Sequence, residues 1–226
     1  MPAKQGGHKS APKRTPRPSP QPAPTPPVDQ TPRTFRLGVI PGATPGKWVD
    51  AWKDRMPHVG IELVPITVAG QRAAIDGLDA ALVRLPLADR DDLHVIPLYD
   101  EVPVVVASAD SHLMAADRLT GDDLAGQVLV VPGDDVLGPL DLPTEAPSFP
   151  TIETTEDAVA TVASGVGILV VPMSLARLHH RKDADYRPLL GARTSTVALA
   201  WPRDATTLDV ETFVGIVRGR TANSSR

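Results

Sequence analysis

Recognition of a small anion needs three kinds of group in one place: free backbone N–H groups, hydroxyls and a guanidinium. This sequence carries all three at the ends of its apolar runs. Gly42-Ala43-Thr44 follows the apolar run 35–40, Thr67-Val68 follows 61–66, and Arg84 closes the run 78–83 just before Pro86. Pro132-Gly133 follows 127–131, and Thr154-Thr155 follows 148–153. Three of these points precede helix starts, whose unpaired N–H groups and dipole favour negative charge. Thr44 and Thr67 add hydroxyl donors, and Arg84 can fork a carboxylate. The same residues also have structural readings. Thr44, Thr67 and Thr154 suit helix N-caps, and Arg84 could instead form a surface ion pair with Asp89 or Asp91.

Other chemistry finds little support. The chain has no cysteine, which removes disulfides, thiolate nucleophiles and Cys-ligated metals. His179 and His180 are adjacent, so their side chains diverge on a helix, and no carboxylate stands one turn away; no metal site is expected. Gly165-Val166-Gly167 lies between a helix and a strand, the reverse of a dinucleotide phosphate loop, and reads as a turn. No serine sits in a nucleophile-elbow pattern. The acidic pairs at 89–92 and 134–135 read as solvated loops. No catalytic residue, cofactor or metal is therefore expected, and the reading is of a binding protein and not an enzyme.

The elements that would position these residues alternate strand and helix. Trp48, Val49, Trp52 and Met56 follow helical spacing after Thr44-Pro45 and end at Pro57. The run 78–83, bounded by Gly77 and Pro86, reads as a buried strand. Strands are also expected at 93–99, 102–107, 127–131, 148–153, 166–171 and 196–201. Thr154 and Asp157 frame a capping box for a helix whose apolar face is Ala158, Val159, Val162 and Ala163, with Gly165 at its left-handed end. Residues 134–147 are rich in Gly, Pro and Asp and show no helical period. A closing helix with Val210, Phe213, Val214 and Val217 on one face follows the last strand. In open α/β sheets, ligands bind beyond the carboxyl ends of the strands, which is where the candidate residues lie.

Composition separates the ends of the chain. Residues 1–34 hold six basic residues and one acidic, while the remainder holds 17 basic and 26 acidic. The first segment is dominated by Pro, Lys, Arg, Ser and Gln, and cannot bury enough apolar surface to offset ordering entropy; it is expected to be disordered. No run approaches a membrane span, and no apolar signal segment opens the chain, so a cytoplasmic location without membrane contact is expected.

Several stretches resemble, in order, the effector-binding (substrate-binding) domain of LysR-type transcriptional regulators. Phe35-Arg36-Leu37-Gly38-Val39 is similar to its first strand, and Arg55-Met56-Pro57-His58-Val59 to its R-x-P-x-V passage. Gly77-Leu78-Asp79-Ala80-Ala81 with Pro97-Leu98-Tyr99-Asp100-Glu101 is similar to its central segment. Ser111-His112-Leu113, Asp123-Leu124-Ala125-Gly126 and 160–172 complete the series. The resemblance spans residues 35–218. It implies an α/β, two-lobed fold of the type 2 periplasmic binding-protein kind, with mixed, mainly parallel sheets. Lobe one would comprise 35–107 plus 188–220, and lobe two 108–187, with 1–34 as a tail. It further implies a small effector in the inter-lobe cleft, often a carboxylate, and side-by-side dimers. The family usually has a helix of several turns where 134–147 stands.

LysR-type regulators read DNA with an N-terminal winged helix-turn-helix. The prolines of residues 1–34 exclude such a helix pair there. The expectation is therefore a stand-alone effector-binding domain that acts on transcription indirectly. It would work as a homodimer, or in mixed dimers with a full-length LysR-type regulator. DNA contact would be weak, sequence-blind and salt-sensitive, through the basic tail. Deleting residues 2–30 is expected to move the Tm by less than about 2 °C, the shift produced by roughly 0.5–1 kcal/mol in a chain of this size. A calorimetric scan of both forms checks this; a drop of several degrees would show that the segment packs on the body.

Overall fold

A computed structural model describes residues 32–219, which belong to one compact unit. The expected disorder of the tail lies outside these residues, except that the first strand begins at Arg33 rather than Phe35. Two mixed sheets, built in a single passage out and a single passage back, form the domain. The first has the strand order β2-β1-β3-β9-β4: β1 (Arg33–Val39), β2 (Val59–Pro65), β3 (Ala80–Arg84), β4 (Leu93–Glu101) and β9 (Ser195–Pro202). The second has the order β6-β7-β5-β8: β5 (Pro103–Ser108), β6 (Leu129–Val130), β7 (Ile168–Pro172) and β8 (Ala184–Pro188).

Each sheet is buried on both faces, and period-two alternation decides which residue goes where. On one face of the first sheet, Leu37, Leu82 and Leu199 pack with Phe35 against helices α1 (Gly46–Arg55) and α5 (Leu208–Val217). Trp52, Phe35 and Phe213 meet there with ring centroids 4.7–5.9 Å apart. Trp48 is half-buried against the same cluster. On the other face, Ala81, Val83, Ala198 and Ala200 pack with Ile75 of α2 (Gln71–Ile75). In the second sheet, Val104, Val106, Leu169 and Val171 face α3 (Thr155–Ala163) and α4 (Met173–Leu178), while Val105, Ala107, Ile168 and Val170 face the opposite layer.

Four sequence expectations need correction. The strand at 103–108 belongs to the second sheet, where it pairs with β7 and β8; the chain therefore crosses at Val102, earlier than 107. Lobe one is expected to resume at 188, but Pro188 still belongs to the edge strand of the second sheet, and the return falls between Pro188 and Ser195. Parallel pairing is not the majority: three of the seven strand pairings are parallel and four antiparallel. The returning strand β9 inserts antiparallel between β3 and β4, which sets that balance. Finally, residues 148–153 form no strand. Pro147 and Pro150 remove ladder donors there, and one bond, Gly133 N–H to the Ile152 carbonyl at 2.8 Å, holds the segment.

Local signals elsewhere hold. Thr154 caps α3 as the box predicts: its hydroxyl oxygen accepts from the Asp157 N–H at 3.1 Å. Gly165 ends that helix at φ +89°. Asp123 in the 3-10 turn accepts from both the N–H and hydroxyl of Thr120 at 2.7 Å, which holds its carboxyl below the usual carboxylate range. Residues 134–147 contain no helix, as expected.

Gly167 is the most constrained turn residue. Its φ is +79°, and a side chain there would overlap the Val128 carbonyl. Gly167→Ala combines left-handed strain with that overlap, so a loss of about 2 kcal/mol or more is expected. Urea denaturation checks this; a loss under about 0.5 kcal/mol, the level of an ordinary surface change, would contradict the close approach.

Candidate functional site

A cleft of about 670 Å³ opens between the two sheets. Its first wall is the loop after β1 and β2: Pro41, Thr67, Val68 and Ala69. Its second wall is the loop after β6, Gly133 to Val136, with the entry to α3, Glu153 to Glu156. Leu175, Leu178 and His179 of the α4 region close the floor. The structure thus gathers five of the ten expected residues here: Thr67, Val68, Gly133, Thr154 and Thr155.

Gly42, Ala43 and Thr44 line an adjoining cleft of about 520 Å³, which shares Leu178 with the first. Thr44 is not the N-cap of α1; Pro45 takes that place, and no side chain caps it. The rest of this second cleft is Tyr99 to Val102 with Met173, Ser174 and Arg177. Gly42, at φ +83°, lies so close to Ser174 that a Cβ would stand 2.5 Å from its hydroxyl oxygen. A loop of the first sheet thereby rests directly on a helix of the second. Desolvation and the neighbouring Glu101 carboxylate push the Tyr99 phenol above its ordinary range, with Arg84 pulling the other way. Although 37% of Tyr99 stays exposed, its hydroxyl is a neutral donor at physiological pH.

Two expected residues are elsewhere. Pro132 is buried and lines a separate apolar cavity of about 360 Å³ with Leu129, Val130 and Val170. Arg84 is 2% exposed and reaches neither cleft. Its partners are not Asp89 or Asp91 and not an open site. One guanidinium nitrogen, Nη1, donates to Glu101 Oε2 at 2.5 Å and to Ser195 Oγ at 2.6 Å. Its backbone is held by Gln71, whose amide exchanges two 2.8 Å hydrogen bonds with the Arg84 N–H and C=O. Glu101 is the last residue of β4, before the outward crossing, and Ser195 is the first of β9, after the return. Arg84 therefore ties together both chain passages between the sheets.

The hydroxyls of the larger cleft are partly committed. Thr67 Oγ1 accepts from the Gly70 N–H at 3.0 Å, which leaves its hydrogen for a ligand. Thr154 is occupied by the capping box. Thr155 donates to Asp134 Oδ1 at 2.7 Å and so joins the two loops of the second wall. The strand-end argument reaches Asp134 and Glu153 as positions at the cleft, within 132–134 and 153–155, but gives their carboxylates no role; Asp135, Glu156 and His179 have no place in it, because loop carboxylates are normally solvated and helix-end histidines exposed. Among the described residues no group of three or more His, Asp or Glu side chains is placed to hold a metal ion, and no helix is long and apolar enough to cross a membrane. The arrangement offers hydrogen-bonding groups, carboxylates and an apolar floor, a set suited to holding a small organic molecule.

Comparison with known proteins agrees with this architecture. A family model described as LysR substrate binding domain matches residues 29–222. A comparison by sequence with curated proteins finds no match. Among solved structures, the chain is similar to the BenM effector binding domain with its effector benzoate: TM-score 0.66 at 19% identity, covering 84% of this chain and 95% of that one. It is also similar to the reduced OxyR regulatory domain from Pseudomonas aeruginosa: TM-score 0.64 at 23% identity, covering 84% and 96%. A full-length OxyR variant from the same organism matches with TM-score 0.65 at 22% identity, covering 88% of this chain and 70% of that one.

Arg84→Met leaves Glu101 buried without its cation and is expected to cost about 3–5 kcal/mol. Adding Glu101→Leu removes the stranded charge, and the double variant is expected to regain most of that loss. Urea denaturation at neutral pH measures both; a single-variant cost below about 1 kcal/mol, the level of a surface pair, would contradict the buried pair.

Proposed function

The chain belongs to the LysR substrate binding domain family, and on that premise we propose that it binds a small-molecule effector in the 670 Å³ cleft between its sheets. The observation that carries this reading is the convergence of Thr67 and Val68 with Gly133, Thr154 and Thr155 across one cavity. These residues come from loops at opposite sides of the domain, and a ligand touching both walls links the sheets in one geometry. Such binding shifts the domain toward the conformation that holds it best. Gly42, Ala43 and Thr44 border the adjoining space beside the sheet crossings and would feel that shift.

The proposal is of a sensor and not an enzyme, working in the cytoplasm and acting on transcription through a partner. The partner would be a second copy or a full-length regulator of the same family. A carboxylate was the effector class expected from the sequence; Thr67 supports a polar ligand, but the charge of the cavity lining weighs against an anion.

A thermal-shift screen of small metabolite classes tests the seat. At one hundred times its Kd, a ligand is expected to stabilise the fold by about 2.7 kcal/mol. Thr67→Val should then weaken that ligand about tenfold, as loss of a hydrogen bond worth roughly 1.4 kcal/mol does, with the domain still folded by circular dichroism. Unchanged affinity would remove the cleft from the account. No response to any class, with association to a full-length regulator intact, would favour a ligand-free pairing module.

A further inference from the structure

The two walls of the cleft differ in charge. Pro41, Thr67, Val68 and Ala69 on the first carry none. The second carries four carboxylates: Asp134, Asp135, Glu153 and Glu156. Among the described lining residues His179 is the one group able to bear positive charge; no lysine or arginine reaches this cavity. We propose that the ligand of this cleft is an organic cation, an amine or amidine on a small apolar body, and not a carboxylate. The inference rests on the cleft being the effector seat and names the class of molecule that sits there.

The acidic wall is built by the fold. Gly133 donates to the Ile152 carbonyl at 2.8 Å, and a Cβ on Gly133 would stand 3.0 Å from the Glu153 carbonyl oxygen. The two loops are therefore in backbone contact, and the Asp134 and Glu153 side chains leave the same lip. Two of the four carboxylates have partners within the protein. Asp134 accepts from Thr155, and Asp135 accepts from the Leu137 and Gly138 N–H groups at 3.0 and 2.9 Å. Glu153 and Glu156 accept no hydrogen bond from the described residues.

The feature that would draw an anion here is already served. The N-terminus of α3 faces the cleft, but Thr154 caps it and its first turn holds Glu156 and Asp157. The chain's own carboxylates thus complement the helix dipole. An incoming carboxylate would meet like charges in a concave space, where such fields are focused. An ammonium brings three donors and no acceptor, which matches a wall of open acceptors. Val68, Val136, Leu175 and Leu178 provide apolar contact for the body of the ligand. A bare metal ion does not fit, since no three ligating side chains converge among the described residues.

The test is a calorimetric titration of matched molecules: benzylamine, benzyl alcohol and benzoate, with hexylamine and hexanoate as an aliphatic pair. Each amine is expected to bind at least about tenfold tighter than its carboxylate. Glu153→Gln with Glu156→Gln, both exposed positions, should cut amine affinity about tenfold and leave benzyl alcohol unchanged. Ala69→Trp, on an exposed loop, should abolish binding of all. Tighter binding of the carboxylates, abolished by Ala69→Trp, would overturn the charge inference and keep the cleft as the seat. Binding indifferent to Ala69→Trp, or no binding by any of the five, would overturn both.

Discussion

The domain depends on one buried contact, the Arg84 guanidinium between Glu101 and Ser195. The chain passes between the sheets twice, after Glu101 and before Ser195, and the same nitrogen holds both ends. Gln71 fixes the backbone from which that side chain reaches. Burial makes the arrangement costly, because two other guanidinium nitrogens, Nε and Nη2, have no hydrogen-bond partner. A pair of leucines would avoid that cost but would not specify direction. Glu101 and Ser195 are already partners in the β4–β9 ladder, and Arg84 ties both to the end of β3 where the sheets join.

What the junction positions is a cavity with unlike walls. The first sheet contributes a neutral wall with a hydroxyl, and the second contributes carboxylates on two touching loops. Leu175 and Leu178, beside the Gly42–Ser174 contact, form a floor shared with the crossings. A molecule filling this space would press on loops from both sheets next to the two chain passages between them. Under the proposed function, occupancy of the cleft would change domain geometry without any chemistry on the ligand.

Local signals in the sequence were legible where the physics is local. The Thr154 box, the Gly165 helix end and the Trp52 and Phe213 faces depend on neighbours within a turn or two. The absence of a helix in 134–147 was equally readable from its Gly, Pro and Asp. The role of Arg84 was not, because its partners lie 17 and 111 residues away, and a strand-end arginine looks the same beside solvent or beneath a hinge. The strand expected at 102–107 forms at Pro103–Ser108, but an apolar strand carries no mark of which sheet it joins. For the same reason the return of the chain was placed too early. The cleft was half legible: Thr67 follows the end of β2 and Gly133 the end of β6, whereas Thr154 and Thr155 were reached from an expected strand at 148–153 that does not form. The charge of its wall required knowing that the loops at 133 and 153 touch.

The central claim is that one ligand bridges both walls of the inter-sheet cleft. A backbone amide NMR titration with the tightest binder of the matched amine and carboxylate series tests it most directly. Shifts at 67–69, 133–136 and 153–156 that follow a single Kd are expected. Shifts confined to one wall would contradict it.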